Sequence, residues 1–277
     1  MAQSPPLAPL LAALVLAVAP AARAADLAAA AAPGVTWFDL MKQVIPDLAW
    51  AKDGAAVGHR IVPFSHIDGK DAVAEPQESF SFSSVDVLAI PGDPSRVIAL
   101  ADLGPSEGNV ADANLLVLFA LGRRPRVLDV VEVGVDRFVG FREGPTLMLA
   151  PHSPLILIVS EHVNSDESFD STALIFIRHD RFAGIDSIFS YGMRTCAALH
   201  TQTPTFTTLN DPGPYRAIRV RVVDKVKLSG EDCGDDKPPK ASLRIFQGMY
   251  RWNPRASAFV TGSRSLRRLA EEDAKIF

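Results

Sequence analysis

VIALADLG at residues 97–104, NLLVLFALG at 114–122 and RVLDVVEVG at 126–134 are answered later by LILIVSEH at 155–162, TALIFIRHD at 172–180 and GIDSIFSYG at 184–192. Val97 and Leu155, Leu115 and Ala173, and Gly134 and Gly192 each stand 58 residues apart, once a single-residue gap is allowed in the last turn. Three apolar runs held in one register, with turns in matching places, mark a tandem architecture. The runs LLVLFAL and LILIV are continuous rather than alternating, which suits strands buried on both faces.

A degenerate third copy starts at Tyr215 with YRAIRVRVV, passes through a long acidic loop to SLRIFQGMYRWNP, and ends in ASAFV. Ile218, Val220 and Val222 alternate with Arg219 and Arg221, so one face of this strand meets water, as expected of an outer unit. Each copy reads strand, loop, strand, tight turn, strand. CAALHTQTPTFTT from Cys196 adds a further strand after the second copy. The expected fold is therefore all-β, built of tandem antiparallel β-meanders with short N- and C-terminal helices. A propeller-like partial ring and a β-sandwich both fit; fewer than four complete units follow Arg60, against a full propeller.

Outward from the repeats, Ser79 to Val87 alternates as one half-buried strand, and IPGDPS at 90–95 is a turn that its two prolines keep out of a sheet. Thr36 can cap a helix over WFDLMKQVIPDLA with Asp39 at the third helical position, ended by Pro46. Ser265 precedes LRRLAEEDAKIF, a helix whose basic residues come early and acidic ones late, against its dipole.

The first residues carry an apolar stretch from Leu10 to Val18 and then Ala22-Arg23-Ala24, an A-x-A cleavage pattern. Residues 1–24 read as a signal peptide, residues 25–35 as an Ala-rich disordered or loosely helical spacer, and 36–277 as a single β-rich domain with repeats near 97–134, 155–192 and 215–262. No later run approaches the ~20 apolar residues a membrane span needs. A periplasmic or secreted location follows. Cys196 and Cys233, both in the mature part, are expected to pair as in other exported chains.

Formal charge is −4, and −5 once Arg23 leaves with the signal. That lacks the basic footprint of a nucleic-acid binder. The motifs G-x-S-x-G, H-E-x-x-H, G-x-G-x-x-G, S-x-x-K, the P-loop and the D-x-D-x-D-G calcium loop are all missing from the sequence. What remains is positional. The loop after the first strand of each copy is acidic: Glu107 and Asp112, then Glu161, Asp166, Glu167 and Asp170, then Asp224, Glu231, Asp232, Asp235 and Asp236. Copies stacked in one orientation would present these loops on one edge, where repeat proteins often bind. Such a rim suits a cationic protein or peptide, or weakly held calcium; no other cofactor is expected. The expected function is a non-catalytic interaction or scaffold module binding through Glu107, Asp112, Glu161, His162, Asp166, Asp170, Glu231 and Asp232. The alternative is a metal-assisted hydrolase centred on His152, Glu161, His162 and Asp166, weakened because adjacent Glu161 and His162 point to opposite faces of a strand. A carbohydrate-binding reading needs Trp37, Trp50 and Trp252 gathered on one exposed face.

Overall fold

The continuous apolar runs are buried on both faces because each sheet that holds them lies between two other layers. The computed structural model describes residues 22–69, 79–105, 112–144, 146–230, 233 and 239–276. It opens with β1 (Arg23–Asp26), the hairpin of β2 (Ala30–Ala32) and β3 (Val35–Thr36), helix α1 (Trp37–Met41), and the short β4 (Ala49–Trp50), β5 (Ala56–Gly58), β6 (Ser65–His66) and β7 (Phe80–Phe82). Next come β8 (Ser84–Ile90), β9 (Asp93–Pro105), β10 (Asp112–Ala120) and β11 (Arg126–Glu132). Short β12 (Val139–Phe141) and β13 (Leu147–Ala150) lead to β14 (Ser153–Val163), β15 (Glu167–Arg178) and β16 (Arg181–Arg194). The chain finishes with β17 (Ala198–Leu209), β18 (Ala217–Leu228), β19 (Ser242–Asn253), β20 (Ala258–Thr261) and helix α2 (Arg264–Asp273).

Six strands form a sheet in the order β1-β8-β9-β10-β11-β6, and nine form a second along β12-β14-β15-β16-β17-β18-β19-β20, with β13 also on β14. All pairings in them are antiparallel apart from β11 with β6. Residues 97–134 thus fold into one three-stranded meander, residues 155–192 into another, and β18-β19-β20 into a third. The meanders pack face to face, the first on the second and the second on the third, and no closed barrel forms among the described residues.

Three cores follow. The first packs Val97, Ala99, Leu115, Val117 and Phe119 against Leu27, Trp37, Leu40, Met41 and Phe82. The second joins the opposite faces of β9 and β10, through Ile98, Leu100, Leu116 and Leu118, to Ile156, Ile158, Ile175 and Ile177 of the nine-stranded sheet. In the third, that sheet turns back on itself: Leu155, Leu174 and Phe176 meet Ile218, Val220, Val222, Phe246 and Tyr250. The turn-back is made where β16 and β17 share only the pairs Gly192 with Thr201, Met193 with His200 and Arg194 with Leu199.

Several expectations are corrected. The Ala-rich segment 25–35 is neither disordered nor helical. Arg23–Asp26 pairs with Val87–Ser84, Leu27 is wholly buried, and Gly34 at φ 73° closes the β2–β3 turn. Small alanines let the backbone approach the sheet while the single large residue fills the core, so the β-rich unit begins before residue 36. Ser79–Val87 is two strands in different sheets, β7 and β8, rather than one. Pro94 lies inside β9, at its irregular start, where Ile90 pairs with Asp93 and the ladder resumes only at Val97. Helix α1 has the expected capping box of Thr36 and Asp39 but ends at Met41, well before Pro46. Helix α2 begins at Arg264, capped by Ser263, and so takes in Ser265 as well as the expected segment.

Candidate interaction edge

Strands β9, β14 and β18 run in one direction, so the loops that follow them leave from one edge. At the opposite end, a Cβ on Gly92 in the β8–β9 turn would lie 3.3 Å from the His152 ring in the β13–β14 turn, and Arg216 N–H donates to Leu149 O just before β18. At the loop end, Asp112 at the foot of the first loop feels the charges of Asp102, Asp136 and Arg137. Asp136 Oδ1 lies 3.1 Å from His162 Nδ1 at the end of β14. Across the second loop Arg194 N–H donates to Asp166 O, and Ser229 Oγ at the foot of the third loop donates to Cys196 O. Cys196 and Cys233 form a disulfide there, tying the corner before β17 to the β18–β19 loop.

The edge is more than acidic. Val135 and Phe138 between β11 and β12, Val163 at the end of β14, and Leu199 and Leu228 beside the third loop are all exposed, Phe138 by 69% and Val163 by 61%. Burial raises the Asp112 carboxyl above its ordinary value, and the neighbouring Asp102 adds to the effect. Burial likewise raises Asp170, with Arg142 opposing it.

The candidate residues are distributed as follows. Asp112, His162, Asp166 and the exposed Glu161 lie at the edge; Asp170 stands directly across from Glu161, on the face opposite His162. Glu107, Glu231, Asp232, Asp235 and Asp236 lie outside the described residues. His152 does not join this group. It occupies an exposed turn at φ 59°, at the start of the strand that His162 ends. Ten residues of extended chain place the two roughly 33 Å apart. Among the described residues no three His, Cys, Asp or Glu side chains come together as a metal set. Nor do the tryptophans share a surface: Trp37 is in the first core, Trp252 packs on Phe176, Tyr215 and Phe259, and Trp50 stacks on Phe38.

Two histidines with no ligand spacing in sequence acquire partners in space. Tyr191 Oη lies 3.0 Å from His200 Nδ1, and His200 Nε2 lies 3.1 Å from Asp224 Oδ2, which Arg244 and Gln202 also contact. The wholly buried Asp224 carboxylate accepts from His200 Nε2–H, and the Tyr191 hydroxyl meets the ring at Nδ1. Burial, reinforced by Asp273 and Asp224, pushes Tyr191 up to about 12. The phenol therefore stays protonated, a poor nucleophile inside a Tyr–His–Asp chain. His66 Nδ1 lies 2.7 Å from Asp68 Oδ1 beside a cleft of about 380 Å³, whose walls include Val133, Ser160, Ser171 and Ser187. An aromatic row starts at the edge with His162 and continues through Phe169, Phe189 and Tyr191 to His200, with neighbouring ring centroids 4.9–6.4 Å apart. Single-sequence periodicity carries no trace of these groupings, because most of their members come from different strands, β14 to β19, aligned only by register.

Comparison of the chain with models of known families, with curated proteins and with solved structures finds no match.

Proposed function

We propose that this chain is an exported, non-catalytic interaction module of the periplasm or cell exterior, and that it binds a protein or peptide partner through the loops on one edge of three repeated meanders. The observation that carries the reading is the convergence of the roots of all three loops on an edge where Val135, Phe138 and Val163 are also exposed. Exposed aliphatic and aromatic side chains ringed by charge are how protein-binding patches differ from ordinary surface. Carboxylates around them favour a partner with a cationic rim. Export is supported by the Leu10–Val18 and Ala22-Arg23-Ala24 pattern and by the Cys196–Cys233 bridge. Among the described residues no helix is long and apolar enough to cross a membrane.

The test is site-specific photocrosslinking in the native host. A photoreactive residue replacing Phe138 or Val163 should give one discrete adduct, while the same residue at His152, on the far end of β14, should give none. A second substitution, Val135→Ser, should reduce the Phe138 adduct severalfold. Equal labelling from both ends of the molecule, or none from the edge, would overturn the reading.

A further inference from the structure

The outer face of β17, β18 and β19 lies away from the third core, and among the described residues no core cluster covers it. Register places side chains on it in three parallel strips. Thr201, Thr203, Thr205 and Thr207 of β17 stand opposite Lys225, Val223, Arg221 and Arg219 of β18, which stand opposite Leu243, Ile245, Gln247 and Met249 of β19. Lys227, paired with Leu199, extends the middle strip. Arg219, Arg221, Lys225 and Lys227 thus occupy one face of one strand, spread over roughly 27 Å at the rise of an extended chain. Among the described residues none of the four forms a salt bridge; the one side-chain hydrogen bond found for them runs from Arg219 Nε to Thr207 Oγ1. Asp224, the one acid of β18, points to the other side and is wholly buried. Asp211, in the loop between β17 and β18, is held by Arg251. In a chain of net charge −4, an all-cationic strip is a local inversion of sign.

Beside the cations lie aliphatic side chains that the fold leaves in water: Leu243 is 67% exposed and Ile245 53%. Charges and threonines alone would keep this sheet face solvated, and Leu and Ile at these positions work against solubility. We propose that this face docks on an anionic phospholipid bilayer, with Arg219, Arg221, Lys225 and Lys227 over the phosphate layer and Leu243 and Ile245 entering the interface. A soluble polyanion would use the cations and gain nothing from the aliphatic strip. A bilayer uses both, since its surface potential attracts the basic strip and its acyl boundary accepts the apolar one. The proposal concerns a different surface from the loop edge and stands or falls apart from it.

The mature, disulfide-intact chain is sedimented with vesicles of phosphatidylcholine alone and of phosphatidylcholine mixed equally with phosphatidylglycerol. Binding is expected to the mixed vesicles only, falling as salt rises. Arg219→Ser with Lys225→Ser should lower the partition coefficient by more than tenfold, since each cation near an anionic surface is worth about fivefold. Leu243→Ser with Ile245→Ser, at exposed positions that leave the melting temperature unchanged, should lower it by a similar factor while the salt dependence persists. Failure to bind the mixed vesicles, or equal binding to both kinds, would overturn the proposal. So would full retention of binding in the Leu243→Ser/Ile245→Ser variant together with equally tight capture by soluble dextran sulfate, which would make the face a polyanion site.

Discussion

Asp273 shows how one side chain can oppose the stability of the element that carries it. It lies in the last turn of α2, where a helix dipole disfavours negative charge. It is also 95% buried, with Gln202 Nε2 donating to it at 2.8 Å. Burial raises its carboxyl above the ordinary value, and Asp224 raises it further. A carboxyl with a higher pKa folded than unfolded costs stability as pH rises from the unfolded value, about 3.9, through the folded one. Asp273→Asn keeps an acceptor for Gln202 and removes the charge, so the melting temperature should rise at pH 7. The gain should vanish near pH 3, where both chains are neutral; an unchanged melting temperature at pH 7 would refute this. Asp224 has the opposite sign: burial raises it, but hydrogen bonds from His200 and Arg244 outweigh burial and hold it below its usual value. The stability it contributes is present above the unfolded value and lost as pH falls through the folded one. Gly134 is constrained sterically instead. A Cβ there would sit 2.6 Å from the backbone oxygen of Asp112, so Gly134→Ala should cost about 1–3 kcal/mol in a urea titration.

Among elements, β15 serves two cores at once. Leu174 and Phe176 face one layer, Ile175 and Ile177 the other, and Phe176 meets Tyr215, Trp252 and Phe259 edge-on at 5.2–6.1 Å. Phe176→Ala should therefore destabilise by ~3–5 kcal/mol in chemical denaturation, and a loss below 1 kcal/mol would mean the third core is not packed as described. The disulfide closes a 37-residue segment that includes all of β17 and β18. Replacing both cysteines by serine should cost about 2–4 kcal/mol on the chain-entropy account. Its effect is expected to concentrate at the β16–β17 corner, read as faster amide exchange of Gly192 to Thr201 than of β10. Helix α2 explains an oddity of its own sequence: its late acids, unfavourable for the helix alone, bind the sheet, Glu272 through Arg244 and Asp273 through Gln202.

Across the molecule, charge is segregated although the total is small. Carboxylates and exposed apolar groups gather at the loop edge, while cations with no salt bridge among the described residues and exposed aliphatics gather on the outer face of β17–β19. Two surfaces of different chemistry on one scaffold would let it hold a partner while resting on a membrane. If the export reading holds, N-terminal sequencing of the secreted product should start at Ala25; a product beginning at Met1 would refute it.

Much of this architecture is legible in one dimension. Unbroken apolar runs such as LLVLFAL can be satisfied only by burial on both faces, and the hairpins follow from local chemistry. His179-Asp180, with both φ values positive, makes the two-residue turn between β15 and β16, and Asn253 accepts from Arg255 N–H and Ala256 N–H at the β19 turn. The alternation of Ile218, Val220 and Val222 with arginines correctly marks an outer strand, because side-chain direction in a strand has a period of two. What pattern alone leaves open is which sheet faces which. A meander is equally satisfied beside its neighbour or on top of it, and only the matching of Ile98 and Leu116 to Ile156 and Ile175 selects stacking. The same holds for the Tyr191–His200–Asp224 chain and for the gathering of three distant loops: register between strands, a property of the assembled sheet, decides what meets.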